Sequence, residues 1–302
     1  MFNLFTKSMR TKMLRVVLSV LWLVASSVGV WAADYSNDAG GIHYELTSNG
    51  PLVISARTSG NNRGVMNNYQ GTWYNAGSTR APWRIWRASH NNDNISGNHY
   101  YCNATSIEVK ENVTVIGDAG FAFCYYVTEV SLPNSLTTIG REAFRHDESL
   151  KSIHLGPNVC TIGDRWATDC YSLEEITVDP DNNCYVVDEY GVLYTKDMTT
   201  LVKVPQNLNI SELNIPEGVT KFATDALYQQ KYLKSLVIPS SMKTIQYGAL
   251  DGCPNLQTLW FRSETAPKFE KTIGNGTDAS NITVYIPCTP ENSFDKRKGQ
   301  YG

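Results

Sequence analysis

Between residues 104 and 262 the chain alternates short apolar runs with polar turns, and the pattern returns every 23 residues. ATSIEVKENVTVIGDAGFAFCYY from Ala104, VTEVSLPNSLTTIGREAFRHDES from Val127 and LKSIHLGPNVCTIGDRWATDCYS from Leu150 align position for position. A fourth copy opens at Leu173 and is interrupted by EYGVLYTKDMTTLVKVP. Copies resume at Ile210 and Leu233, and a divergent one opens at Leu256. In each copy an Ile-x-Ile alternation predicts a short strand with one face inward. Pro133, Pro216 and Pro239 end three of these strands, because proline donates no ladder hydrogen bond. A Thr-x-Ile-Gly segment then returns with one apolar anchor, at Ile116, Ile139, Ile162, Phe222 or Ile245. Gly117, Gly140 and Gly163 follow it, as a bend with no room for a side chain requires. Ala223 and Gln246 break that rule in later copies.

One such copy cannot bury its apolar stripe alone. Stacking sets each strand roughly 4.8 Å from its equivalent, with parallel pairing along the whole stack. The fold expected is therefore an α/β-type or mainly-β repeat solenoid, a right-handed stack of 23-residue coils with parallel strands and a cap at each end. Residues 33–103 are assigned to an N-terminal β-hairpin and Trp-rich cap, 104–262 to the solenoid with its insertion in the coil starting at 173, and 263–302 to a C-terminal cap. Asn49-Gly50 is the hairpin signal within YELTSNGPLVIS. SHNNDNISGN, residues 89–98, reads as a polar loop.

The repeat resembles that of the BspA-like (Treponema-type) leucine-rich repeat proteins. SLPNSLTTIGREAF carries the resemblance, together with the period, the proline, the glycine and the AF..C tail. VDPDNNCYVVDEYGVLYTKDMTTLVKVP, residues 178–205, is similar to a variant repeat of that family. IHYELTSNGPLVIS with the later APW, and ITVYIP at 282–287, are similar to its flanking units. The resemblance implies a leucine-rich repeat stack in an exported bacterial protein with adhesion as its theme, and it supplies no catalytic motif.

Composition agrees with export. Lys7, Arg10, Lys12 and Arg15 precede an uncharged, mostly apolar run from Val16 to Ala33, which reads as a signal peptide over 1–32 with cleavage after Ala32. Loss of those four cations takes the formal charge from −3 to −7. That argues against a nucleic-acid partner, and no second long apolar run predicts insertion of the mature chain in a membrane. The expected location is secreted or on the outer surface of a bacterium. The 7 cysteines are odd in number, so at least one is unpaired. Cys124, Cys170 and Cys253 share one repeat position, with Asp147, Gln230 and Lys231 standing at or near it in other coils. A small buried group bonding to the next turn of backbone is expected there.

The outward position of each Ile-x-Ile strand is computable. It holds Glu108, Ser131, His154, Thr177, Asn214, Val237 and Trp260, and the position two residues earlier is polar and acidic. His154, Thr177, Asn214, Val237 and Trp260 are the candidate ligand-binding residues, with Trp260 beside Val237 the best contact patch unless residues 263–302 fold over them. Trp73, Trp83 and Trp86 with Arg84 form an alternative N-terminal patch, which could stack on a sugar or peptide or serve as apolar cover for the first coil. The histidines stand in no metalloprotease or zinc motif, there is no nucleophile elbow, and DPDNNC fails as a calcium loop because Cys184 replaces its glycine. No enzyme, metal site or cofactor is expected. The leading reading is an exported module adhering to a matrix-like protein of a host or neighbouring cell. An envelope scaffold and a carbohydrate binder acting through the Trp-rich cap are the alternatives.

Overall fold

The computed structural model describes residues 35–47, 49–69, 81–87, 99–271, 273 and 276–287. The N-terminal segment read as a signal peptide, Trp73, the 89–98 loop, Cys288 and the side chain of Trp86 lie outside the described residues.

The chain begins with β1 (Tyr35–Ala39), β2 (Ile42–Leu46) and β3 (Pro51–Ala56), paired as antiparallel neighbours, and a separate pair, β4 (Ile85–Arg87) with β5 (His99–Tyr101). Each coil then contributes one front strand and one return strand. These are β6 (Ser106–Val109) and β7 (Val115–Ile116), β8 (Glu129–Ser131) and β9 (Thr138–Ile139), and β10 (Ser152–Leu155) and β11 (Thr161–Ile162). The coil opening at Leu173 has front strand β12 (Glu175–Val178) but three strands on the return side, β13 (Tyr185–Val187), β14 (Leu193–Thr195) and β15 (Thr200–Lys203). Regular coils resume with β16 (Glu212–Asn214) and β17 (Lys221–Phe222), β18 (Ser235–Ile238) and β19 (Thr244–Ile245), and β20 (Thr258–Phe261) and β21 (Lys268–Phe269). The last described strand is β22 (Thr283–Tyr285).

The solenoid reading holds, and both flanks continue it. Strand β3 pairs in parallel with β6, with Val53 opposite Glu108, so the N-terminal hairpin supplies the first front strand. Strand β22 pairs in parallel with β20. Inside the coils the template positions make one continuous wall. Ile107, Ile153, Ile176, Leu213, Leu236 and Leu259 are buried beneath the front strands, and Phe121 and Phe144 stack beneath the turns with ring centroids 5.5 Å apart. Gly140 is required because the preceding coil passes too close. A Cβ there would lie 2.5 Å from the Asp118 nitrogen and the Gly117 carbonyl carbon. The left-handed backbone falls two residues later, at Ala119, Glu142, Arg165, Asp225 and Gly248.

Parallel pairing does not run along the whole stack. Strands β13 and β14 form an antiparallel hairpin, β15 returns beside β14, and only then does parallel pairing resume with β17. On the front, β8 and β10 are not paired, β12 pairs with β10 and β16 with β18, and β12 and β16 are not paired. The buried core divides at the same level into two clusters, one ending at Tyr185 and Leu193 and the other starting at Val192 and Tyr194. The cause is local. Where other coils carry their turn, this one carries TLVKVP, an alternating run that stays extended. The neighbouring turns therefore meet across it: Thr168 Oγ1 donates to Asp225 Oδ2 (3.1 Å), Arg165 Nε lies 3.3 Å from the same oxygen, and buried Lys203 donates to the Asp225 carbonyl (3.1 Å).

The shared cysteine position behaves as its spacing suggests. Cys170 and Cys253 donate to the carbonyls of Phe144 and Leu227, one coil back, at 3.0 and 3.2 Å. Gln230 makes the same kind of bond to Val204. The chain also contains a disulfide, Cys160–Cys184, between adjacent coils with Cα atoms 5.1 Å apart. Beside it Asn182 fills an apolar template position, fully buried, and donates to Gly156 and Val159 while accepting from the Cys184 and Tyr185 amides.

Candidate functional site on the strand face

Front strands place alternate residues inward and outward, so one outward residue per coil forms a ladder. Register sets Glu108 beside Ser131, His154 beside Thr177, and Asn214 beside Val237, then Trp260, then Tyr285. The five candidate residues thus form two groups rather than one line. His154 and Thr177 share a 2.8 Å hydrogen bond on one side of the break. Asn214, Val237 and Trp260 lie on the other.

The described part of the C-terminal segment extends this second group. Tyr285 stacks on Trp260 with ring centroids 3.8 Å apart and planes 8° from parallel, and the two remain 40% and 44% exposed. Arg262 reaches back across the ladder. Its Nη2 donates to Asn214 Oδ1 (3.1 Å) and its Nη1 to Glu217 Oε1 (3.3 Å), which fixes the Asn214 amide.

The insertion supplies a wall. Its hairpin turns at Asp188, whose Oδ1 accepts the amides of Tyr190 (3.0 Å) and Val192 (2.9 Å), and Gly191 takes the left-handed conformation the turn needs. That turn projects Tyr190, half exposed, over β16. Tyr190, Glu212, Leu213, Asn214, Ser235 and Val237 line an open-sided cavity of about 360 Å³. Tyr190, Tyr285 and Arg262 were not among the sequence candidates. Carrying the repeat register one strand past Trp260 into ITVYIP would have found Tyr285. No spacing rule could have placed Tyr190, because its position depends on how the hairpin crosses the stack.

The N-terminal residues are placed differently. Trp83 is buried, donates from Nε1 to the Gly120 carbonyl (3.0 Å) and packs edge-on against Tyr44 and Tyr69. Arg84 is buried with its guanidinium 4.4 Å from the centre of the Phe123 ring. Neither offers a face to solvent, so these two do not form an open stacking surface; they cover the first coil. Burial also drives His146, 3.2 Å from Asp169 on the turn side, down to about 4. Among the described residues no group of three or more His, Cys, Asp or Glu could hold a metal ion, and no helix is long and apolar enough to cross a membrane.

The profile of the BspA type leucine rich repeat region matches residues 95–208 and 202–289, in six copies. The chain belongs to that family. Solved structures of similar fold include a leucine-rich repeat protein from Eubacterium ventriosum, 21% identical over 84% of this chain and 78% of the other, with a TM-score of 0.48. A leucine rich cell surface protein from Faecalibacterium prausnitzii is 20% identical over 76% and 77%, with a TM-score of 0.47. The pneumococcal vaccine antigen PcpA is 17% identical over 85% and 89%, with a TM-score of 0.42. Among curated proteins none matches the chain.

Proposed function

We propose that this BspA-type chain is an exported binding protein of the bacterial surface, and that it adheres to a protein partner through the C-terminal half of its strand face. The observation that carries the reading is the exposed Trp260–Tyr285 pair beside Val237 on a rigid parallel sheet. Large aromatic side chains held by a scaffold lose little freedom on binding, which is why they dominate interface energetics. The test is solid-phase binding of the chain from Ala33 onward to a panel of matrix proteins and glycans, repeated with Trp260→Ala. Saturable binding to a protein that the substitution reduces supports the reading. Binding that Trp260→Ala leaves intact, or binding to glycans alone, removes it.

A further inference from the structure

We infer that the cavity beneath Tyr190 receives the cationic side chain, best an arginine, of an extended segment of that partner. The inference rests on strand-face docking and adds what the face selects. Three features converge on it.

The first is chemical. Glu212 is exposed, forms no ion pair among the described residues, and lines the cavity together with the Asn214 carbonyl oxygen already oriented by Arg262. Tyr190 lines the same cavity with a half-exposed ring. A guanidinium between a tyrosine face and a carboxylate gains a cation–π contact and a charge-assisted hydrogen bond together. Val237 offers apolar contact for the alkyl stem.

The second is the surrounding charge. Glu129, Glu175 and Glu212 occupy the outward row next to the ladder, and Glu174 lies beside β12. Lys110 pairs with Glu108 and Arg262 with Glu217, and the exposed Lys151 and Lys234 flank the row without matching its four carboxylates in number. The face therefore attracts a basic segment.

The third is position. Tyr190, at the hairpin turn, lines the cavity beside β16, where the front sheet starts afresh after β12, so a partner lying along Asn214, Val237 and Trp260 meets it at the end of that ladder.

The probe is acetyl-Gly-Arg-Gly amide, titrated against the folded chain and followed by saturation-transfer NMR. Acetyl-Gly-Leu-Gly amide serves as the control. Glu212 and Tyr190 are exposed, so Glu212→Gln and Tyr190→Ala leave folding intact, which melting curves verify. The expected result is weak saturable binding of the arginine peptide that falls with salt and is lowered about two- to fivefold by either substitution. No binding, equal binding of the leucine peptide, or binding indifferent to both substitutions overturns the inference. Partner capture separates the two proposals. Capture lost with Trp260→Ala but kept with both cavity variants leaves strand-face docking standing and the cationic cavity refuted.

Discussion

Trp260 and Tyr285 stand side by side on adjacent parallel strands, stacked at 3.8 Å, with the outermost ring supplied by the strand that closes the described stack. The pair is exposed, so it contributes little to the core. Tyr285→Ala should cost about 1 kcal/mol of stability or less, read as a small shift in melting temperature. It should weaken partner binding along with Trp260→Ala, because loss of the stack frees the indole to rotate. For Trp260→Ala itself a loss of about 2 kcal/mol in binding, roughly 30-fold, is expected by surface plasmon resonance.

The period, the strand positions and the outward ladder could all be read directly, because a coil cannot change its inward residues without losing its core. Ile107, Ile153 and Leu236 announce the fold in this way. What the coil starting at Leu173 does was less legible. Its replacement of the turn by an extended TLVKVP run leaves Thr168 and Asp225 in contact 57 residues apart, and that contact emerges only once the hairpin is inserted. Asn182 in an apolar position and Lys203 buried in the TLVKVP run look like errors of pattern until their hydrogen bonds are seen. The outward residues are the least constrained by packing, and for that reason their ligand is the hardest thing to read.

The disulfide ties the last regular N-terminal coil to the irregular one. Closing the loop between Cys160 and Cys184 should contribute about 3 kcal/mol by restricting the unfolded chain. Cys184→Ser, or reduction of the native protein, should lower the melting temperature by several degrees. Peptide mapping after alkylation should find Cys160 and Cys184 protected as a pair. Cys124, Cys170 and Cys253, which are buried free thiols, should label only after unfolding. For Cys170 and Cys253 burial also pushes the thiol above its usual range, Cys253 to about 11, so little thiolate exists to react.

Gly140 offers a test of how tightly coils stack. A methyl group placed there meets backbone on the preceding coil at 2.5 Å, and backbone cannot move aside as a flexible side chain can. Gly140→Ala should destabilise by about 3 kcal/mol, measured by urea unfolding. Ala223→Gly at the equivalent place beyond the insertion should cost no more than about 1 kcal/mol, the ordinary entropy penalty of glycine.

Asp147 occupies the cysteine position of its coil, fully buried between Cys124 and Cys170. Its Oδ1 accepts the Cys124 amide at 2.9 Å, and its Oδ2 has no hydrogen-bond partner. Burial raises its pKa well above the usual carboxylate range. The Cys124 amide and the Arg84 charge oppose that rise, and Cys102 adds to it. The folded chain therefore keeps a proton that the unfolded chain releases near the ordinary value of about 4. The stabilising contribution is complete below that pH and is lost as pH rises toward the folded value. Asp147→Asn keeps the acceptor for Cys124 and removes the ionisable group. The variant should be close to the parent near pH 4 and increasingly more stable as pH rises, by about 1.4 kcal/mol for each pH unit over which the folded carboxyl stays protonated. Asp147→Ala should be less stable than either, because the Cys124 amide is left buried and unpaired. Thermal unfolding of the three proteins across that pH range decides it: a gap between Asp147→Asn and parent that does not change with pH would mean that the carboxyl is not held protonated in the fold.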